Sequence, residues 1–143
     1  MLKILFLCTG NSCRSQMAEA LGNTLYPQHK FYSAGIETHG VNPYAVKVIK
    51  ELGIDMSGHT SKLVDTLNDI TFDVVITVCD NANESCPIFT GNTLRLHRSF
   101  EDPPKLCANL TDEFAKLAVY RQVRDEIKSY LLNELPDLIK GLK

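Results

Sequence analysis

Residues 2–7, LKILFL, form an apolar run broken only by Lys3. The run is too brief for a helix of its own and suits a strand buried on both faces, as in a parallel sheet. It leads straight into Cys8, five small or polar residues (Thr9, Gly10, Asn11, Ser12, Cys13) and Arg14. Met17, Ala20, Leu21 and Leu25 then recur at helical spacing, with Pro27 marking the far end. A strand, a tight polar loop and a helix therefore follow one another within the first quarter of the chain.

Later segments repeat this alternation. KFYSAG (residues 30–35) predicts a second strand. NPYAVKVIKELG (42–53) predicts a helix capped by Asn42, with Pro43 in its first turn, Ala45, Val48, Ile49 and Leu52 facing inward, and Gly53 ending it. A weaker helix is expected over 61–67. The β-branched run 72–78 predicts a central strand with Cys79 at its end, and 93–97 a fourth strand. From Thr111, read as a cap ahead of Asp112 and Glu113, a long helix would bury Tyr120, Val123, Ile127 and Leu131. The expected architecture is α/β: a small open sheet of about four parallel strands flanked by helices. With 143 residues and no linker, repeat or low-complexity stretch, residues 1–143 are expected to form one domain. Sites in such sheets lie beyond the carboxyl ends of the strands, where both Cys8 and Cys79 fall.

The loop between Cys8 and Arg14 has the makings of an anion nest. Successive backbone N–H groups can turn inward, the following helix adds partial positive charge at its N-terminus, and Gly10 offers conformational freedom. Arg14 supplies a planar, two-pronged donor for a tetrahedral oxyanion. Cysteines at helix N-termini or beside cations have thiol pKa values of roughly 3.5–7.5, so Cys8 is expected to be a nucleophile. A cysteine ending a buried strand is more often an inert core residue. The surrounding constellation, which serves no packing purpose, favours the functional reading.

Five cysteines, an odd number, argue against a fully paired structural framework. Cys8, Cys13, Cys79, Cys86 and Cys107 contain no C-x-x-C pair and the four histidines no metal-ligand spacing, so no metal site is expected. Cys13 reads as a small loop residue and Cys107 as structural or surface. A formal charge of −2 gives no basic excess for nucleic acid or an anionic membrane. No apolar run approaches the roughly 20 residues of a membrane span, and a cytoplasmic monomer without nucleic-acid or membrane partners is expected.

CTGNSCRS (8–15) resembles the C-x5-R-S phosphate loop of the low-molecular-weight protein tyrosine phosphatase superfamily, which includes thiol-dependent arsenate reductases. The resemblance extends to SAGI (33–36), HTSK (59–62) and FEDPPK (100–105). It implies that Cys8 attacks the substrate, Arg14 grips its oxygens together with residues 9–13, Ser15 hydrogen-bonds the thiolate, Asn11 braces the loop and Asp102 is the general acid. Taken alone, Asp102-Pro103 would read as a surface turn.

TVCDNANESCP (77–87), together with CPIFTG, RLH and YRQVRDEI downstream, resembles the thioredoxin-coupled arsenate reductases, and Pro104 and Lys105 stand where tyrosine phosphatases usually carry aromatic residues. That resemblance implies a relay from Cys8 to Cys79 and then Cys86, no bound cofactor, and thioredoxin as external reductant of an enzyme acting on arsenate. A glutaredoxin system as donor, a phosphatase, and a non-catalytic thiol or oxyanion sensor remain the other readings. Some relatives hold potassium through positions matching Asn11, Glu19 and Ser33 plus a carboxylate. Lys62 occupies the expected carboxylate position, so its ammonium is expected to replace the ion.

Overall fold

In the computed structural model, which describes residues 1–142 apart from 85, 87, 88 and 90, the opening apolar run is strand β1, Lys3–Cys8, buried from Ile4 onward. Cys8 is its last residue rather than the residue after it. Helix α1 (Arg14–Leu25) follows the loop. Strand β2 (Lys30–Gly35) lies parallel to β1 on one side, and β3 (Val74–Thr77) lies parallel on the other. Strand β4 (Leu94–His97) completes the order β2-β1-β3-β4. As the outer strand it alternates half-buried leucines with exposed Arg95 and His97, charged or polar outward residues that blunt a free edge.

The chain turns from β1 to one neighbour and later crosses to the other. The carboxyl end of β1 is therefore the switch point at which open α/β sheets form their sites. The register aligns Leu7 with Ala34 and Thr77, and Thr77 with His97, while Cys8 stands opposite Gly35. One edge of the sheet thus carries Cys8, Thr77 and His97.

Helix α2 (Pro43–Lys50) begins as expected, with Asn42 Oδ1 accepting from the backbone N–H of Tyr44 and Ala45. It ends before Leu52, which is 38% exposed rather than part of the inner face, and Gly53 follows at φ +79°. The helix expected over 61–67 is only a 3-10 turn, Val64–Leu67. Residues before it are drawn alongside β2: Gly35 N–H donates to Lys62 O, and Leu63 makes a parallel bridge with Gly35. Tertiary pairing there outweighs a weak helical preference.

Three short helices, α3 (Asp80–Glu84), α4 (Pro103–Leu106) and α6 (Leu135–Leu138), accompany the long α5 (Glu113–Asn133). Asp112, not Thr111, caps α5, its Oδ1 accepting from Phe114 N–H at 3.2 Å. The buried stripe of α5 contains Tyr120, Val123, Ile127 and Leu131. Arg124 joins that face, 8% exposed, by donating to Val48 O at 2.7 Å and pairing with Glu51 at 3.0 Å, which ties α5 to α2. Among the described residues no helix is long and apolar enough to cross a membrane.

Candidate active site

The loop after β1 is shaped by what its carbonyls do. Cys8 O accepts from Ile36 N–H, Thr9 O from Glu37 N–H, Gly10 O from His39 N–H and the Ser61 hydroxyl, and Ser12 O from Asn42 N–H, all at 2.8–3.2 Å. Asn11 O accepts from Gln16 Nε2 at 3.1 Å. A planar trans peptide points its C=O and the following N–H in opposite directions. With five successive carbonyls engaged by the surrounding chain, the following N–H groups face the hollow of the loop. Helix α1 adds its own open donors, because Cys13 at its N-cap provides no side-chain cap.

The conformational burden falls one residue later than expected. Asn11, not Gly10, has the positive φ, +48°, a region that Asn tolerates better than most side chains. At Gly10 a Cβ would meet only the His39 ring, at 2.5 Å. Asn11 is fully buried and repays its strain with its side chain: Nδ2 donates to Ser15 Oγ at 2.9 Å, while Oδ1 accepts from Gln16 Nε2 at 3.0 Å and Lys62 N–H at 2.8 Å. Ser15 Oγ in turn stands 2.8 Å from Cys8 Sγ.

Cys8, Thr9, Gly10, Ser12, Cys13 and Arg14 line one cavity of about 290 Å³ together with His39, Asp102 and Pro104. Arg14 donates through Nη1 to Phe100 O at 3.0 Å, and Nη2 lies 3.8 Å from Asp102 Oδ1. Asp102 is the N-cap of α4 but makes no capping hydrogen bond, so its 41%-exposed carboxylate is left at the cavity rim. Burial pushes the Cys13 thiol well up, only partly offset by the Arg14 charge. That makes it a poor nucleophile beside Cys8. Cys107 is buried rather than on the surface; burial raises its pKa too, and its Sγ lies 3.8 Å from Lys116 O.

The second thiol reaches this site through the residue after Cys8. Cys79, 4% exposed, has its Sγ 3.2 Å from Thr9 Oγ1. Cys86 lies past the end of α3, half-buried, and the CPIFTG stretch that follows lies partly outside the described residues. No two cysteines are joined in a disulfide. Sequence spacing did not reveal the Thr9–Cys79 contact or Gln16, a fully buried hub whose Nε2 also donates to Thr60 O at 2.9 Å and whose Oε1 is 2.8 Å from His59 Nδ1. Gln16 lies on the buried face of α1, where an unpaired amide would be costly, but no residue spacing marked it out.

Behind the loop, Glu19 is 16% exposed and accepts from the Ser33 hydroxyl. Lys62 Nζ lies 3.8 Å from its Oε1, His59 Nδ1 lies 3.7 Å from its Oε2, and Lys62 Nζ donates to Thr60 O at 3.1 Å. The Lys62 ammonium thus provides the local positive charge that a buried carboxylate requires.

Residues 3–141 match the family described as low molecular weight phosphotyrosine protein phosphatase. The chain is 54% identical over 125 residues to an arsenate reductase of Halalkalibacterium halodurans, covering 87% of this chain and 88% of that one. It is 49% identical over 131 residues to the arsenate reductase of Bacillus subtilis, covering 90% and 91% respectively. A solved structure of an arsenate reductase in the phosphate binding state aligns over 100% of both chains, with a TM-score of 0.66 and 32% identity.

Proposed function

Because this chain belongs to the low molecular weight phosphotyrosine protein phosphatase family and is close to its arsenate reductases, we propose that it reduces arsenate to arsenite through a relay of Cys8, Cys79 and Cys86, with thioredoxin as the external reductant. The observation that supports the relay most is the 3.2 Å contact between Cys79 Sγ and Thr9 Oγ1. A phosphatase needs no second thiol at the end of β3, whereas a reductase needs one beside its nucleophile.

In the proposed cycle the loop N–H groups of residues 9–13 and Arg14 hold arsenate while the Cys8 thiolate, facing the Ser15 hydroxyl, attacks arsenic. An arsenate oxygen leaves as water with the proton that Asp102 delivers. Cys79 then attacks Cys8 Sγ: the S–S bond forms, the S–As bond breaks, and its electron pair reduces arsenic so that arsenite departs. Cys86 attacks Cys79 Sγ, which frees Cys8 and leaves a Cys79–Cys86 disulfide. The thioredoxin dithiol returns two electrons to that disulfide. No prosthetic group enters the cycle, and the enzyme acts as a cytoplasmic, single-domain monomer.

The test is steady-state NADPH consumption with arsenate, thioredoxin and thioredoxin reductase. Sustained consumption that requires both arsenate and thioredoxin is expected. Brisk aryl phosphate hydrolysis without it would make the chain a phosphatase, and a single stoichiometric oxidation would make it a sensor. Turnover supported only by glutaredoxin and glutathione would replace the donor.

The Lys62 ammonium beside Glu19 also makes potassium dispensible. Exchanging sodium chloride for potassium chloride at equal ionic strength is expected to leave the melting temperature and phosphate affinity unchanged; a potassium-specific rise in either would show that Lys62 does not replace the ion.

A further inference from the structure

One side chain ties down the backbone on both sides of Cys79. His97, at the end of β4, has Nδ1 2.7 Å from Thr77 Oγ1 and Nε2 3.1 Å from Asp80 Oδ1. A carboxylate can only accept, so a neutral ring would carry its proton on Nε2, and Nδ1 would share the single Thr77 hydroxyl proton with Leu96 O, 3.4 Å from Thr77 Oγ1. The two anchors differ in kind. Thr77 is 2% exposed within β3, whereas Asp80 opens α3 with its side chain 80% exposed. Helix α3 has only five residues, too few to hold their shape without outside support. Ties to its first residue therefore govern where the chain carrying Cys79 leaves the sheet.

We propose that His97 is a positioning residue for the thiol relay: by bridging Thr77 and Asp80 it holds Cys79 in line for attack on Cys8, and its Asp80 half is the tie that opens when the following segment unwinds. This rests on the three-thiol reading above. The asymmetry suits the task, since the buried Thr77 half persists while a bond to a solvent-exposed carboxylate is weak enough to break in each cycle.

The experiment uses the Cys86→Ser protein, in which reaction with arsenate is expected to halt at the Cys8–Cys79 disulfide, followed by quenching with an alkylating agent and mass spectrometry. Adding His97→Ala should slow that disulfide roughly 10-fold, a loss in keeping with a displaced attacking group, while leaving the dissociation constant of inorganic phosphate within about twofold. His97→Asn, whose amide lies near the Nδ1 position, and His97→Gln, whose amide lies near Nε2, should each recover part of the rate. Asp80→Ala, a change at an exposed side chain, gives a folded second probe and should slow the same step.

Unchanged disulfide rates in both His97→Ala and Asp80→Ala would overturn the clamp alone. So would a slowing matched by an equal loss of phosphate affinity, the mark of a merely structural role. Absence of any Cys8–Cys79 disulfide in the parent Cys86→Ser protein would overturn the clamp and the relay together.

Discussion

Arsenate reduction by the Cys86→Ser protein is expected to stop after one equivalent of arsenite, with Cys8 and Cys79 joined and turnover reduced at least about 1,000-fold, because exchange onto an outer thiol is lost. Thiol–disulfide exchange needs a thiolate to reach a sulfur atom of the disulfide. Cys8 is 3% exposed and Cys79 4%, so a disulfide between them is closed to a protein-sized reductant, whereas Cys86 lies half-buried beyond α3. In the proposed relay, carrying the oxidised pair outward is the task of Cys86. A helix running the whole way would hold the chain back: seven helical steps of about 1.5 Å would separate the Cα atoms of Cys79 and Cys86 by about 10 Å, against the roughly 4.4–6.8 Å that a disulfide spans, so the turn that α3 does form has to give way if it keeps the two apart.

Helix α3 makes that movement cheap. It comprises only Asp80–Glu84, little more than one turn, and its sequence DNANE is rich in side chains that compete for backbone hydrogen bonds. Arsenite yield and alkylation mass spectrometry check the result together. Repeated turnover by Cys86→Ser would show that thioredoxin reaches the buried disulfide directly and would remove the role assigned to Cys86. Cys79→Ser, by contrast, should yield no arsenite, because no thiol is left to break the S–As bond.

How far the sequence revealed this design depended on the distance over which each contact acts. The strand, loop and helix around Cys8 were legible because an apolar run, small residues and helical periodicity are local signals. So was the cap at Asn42, whose carbonyl acts on residues two and three positions ahead. Contacts between distant segments were not. Residues 61–63 carry a weak helical pattern but are extended because Gly35 and Gly10 engage them. The link from His97 to Thr77 and Asp80 spans 20 and 17 residues and left no periodic trace. Gly10 and Asn11 exchanged roles for a similar reason. A side-chain network reaching Ser15, Gln16 and Lys62 holds Asn11 in the left-handed region, and composition alone assigns that position to the glycine beside it.

Gly35 is the position where the sheet and the loop can least accommodate a methyl group, and Gly35→Ala should lower the melting temperature by roughly 10 °C and weaken phosphate binding at least about 100-fold. A Cβ at Gly35 would stand 2.4 Å from Glu37 O, 2.8 Å from Thr9 O and 2.8 Å from Asn11 N. All three are backbone atoms, so no side-chain rotation relieves the overlap. The same segments hold the loop open, since Glu37 N–H donates to Thr9 O at 2.8 Å and Gly35 N–H to Lys62 O at 2.8 Å. Overpacking costs about 3 kcal/mol at the upper end of its usual range, equivalent to roughly 10 °C for a chain of this size. Displacing the loop by even about 1 Å misaims its donors, a fault of the kind that costs on the order of 100-fold. Two other glycines calibrate the result. Gly10→Ala meets only the ring of His39, whose side chain is 56% exposed and can swing aside, and Gly58→Ala meets nothing within 4 Å; both should melt within about 2 °C of the parent protein, well inside the effect of 1 kcal/mol. Calorimetry and phosphate titration on the three proteins decide the matter: if Gly35→Ala binds phosphate as tightly as the parent, the loop does not owe its shape to the bare backbone of β2.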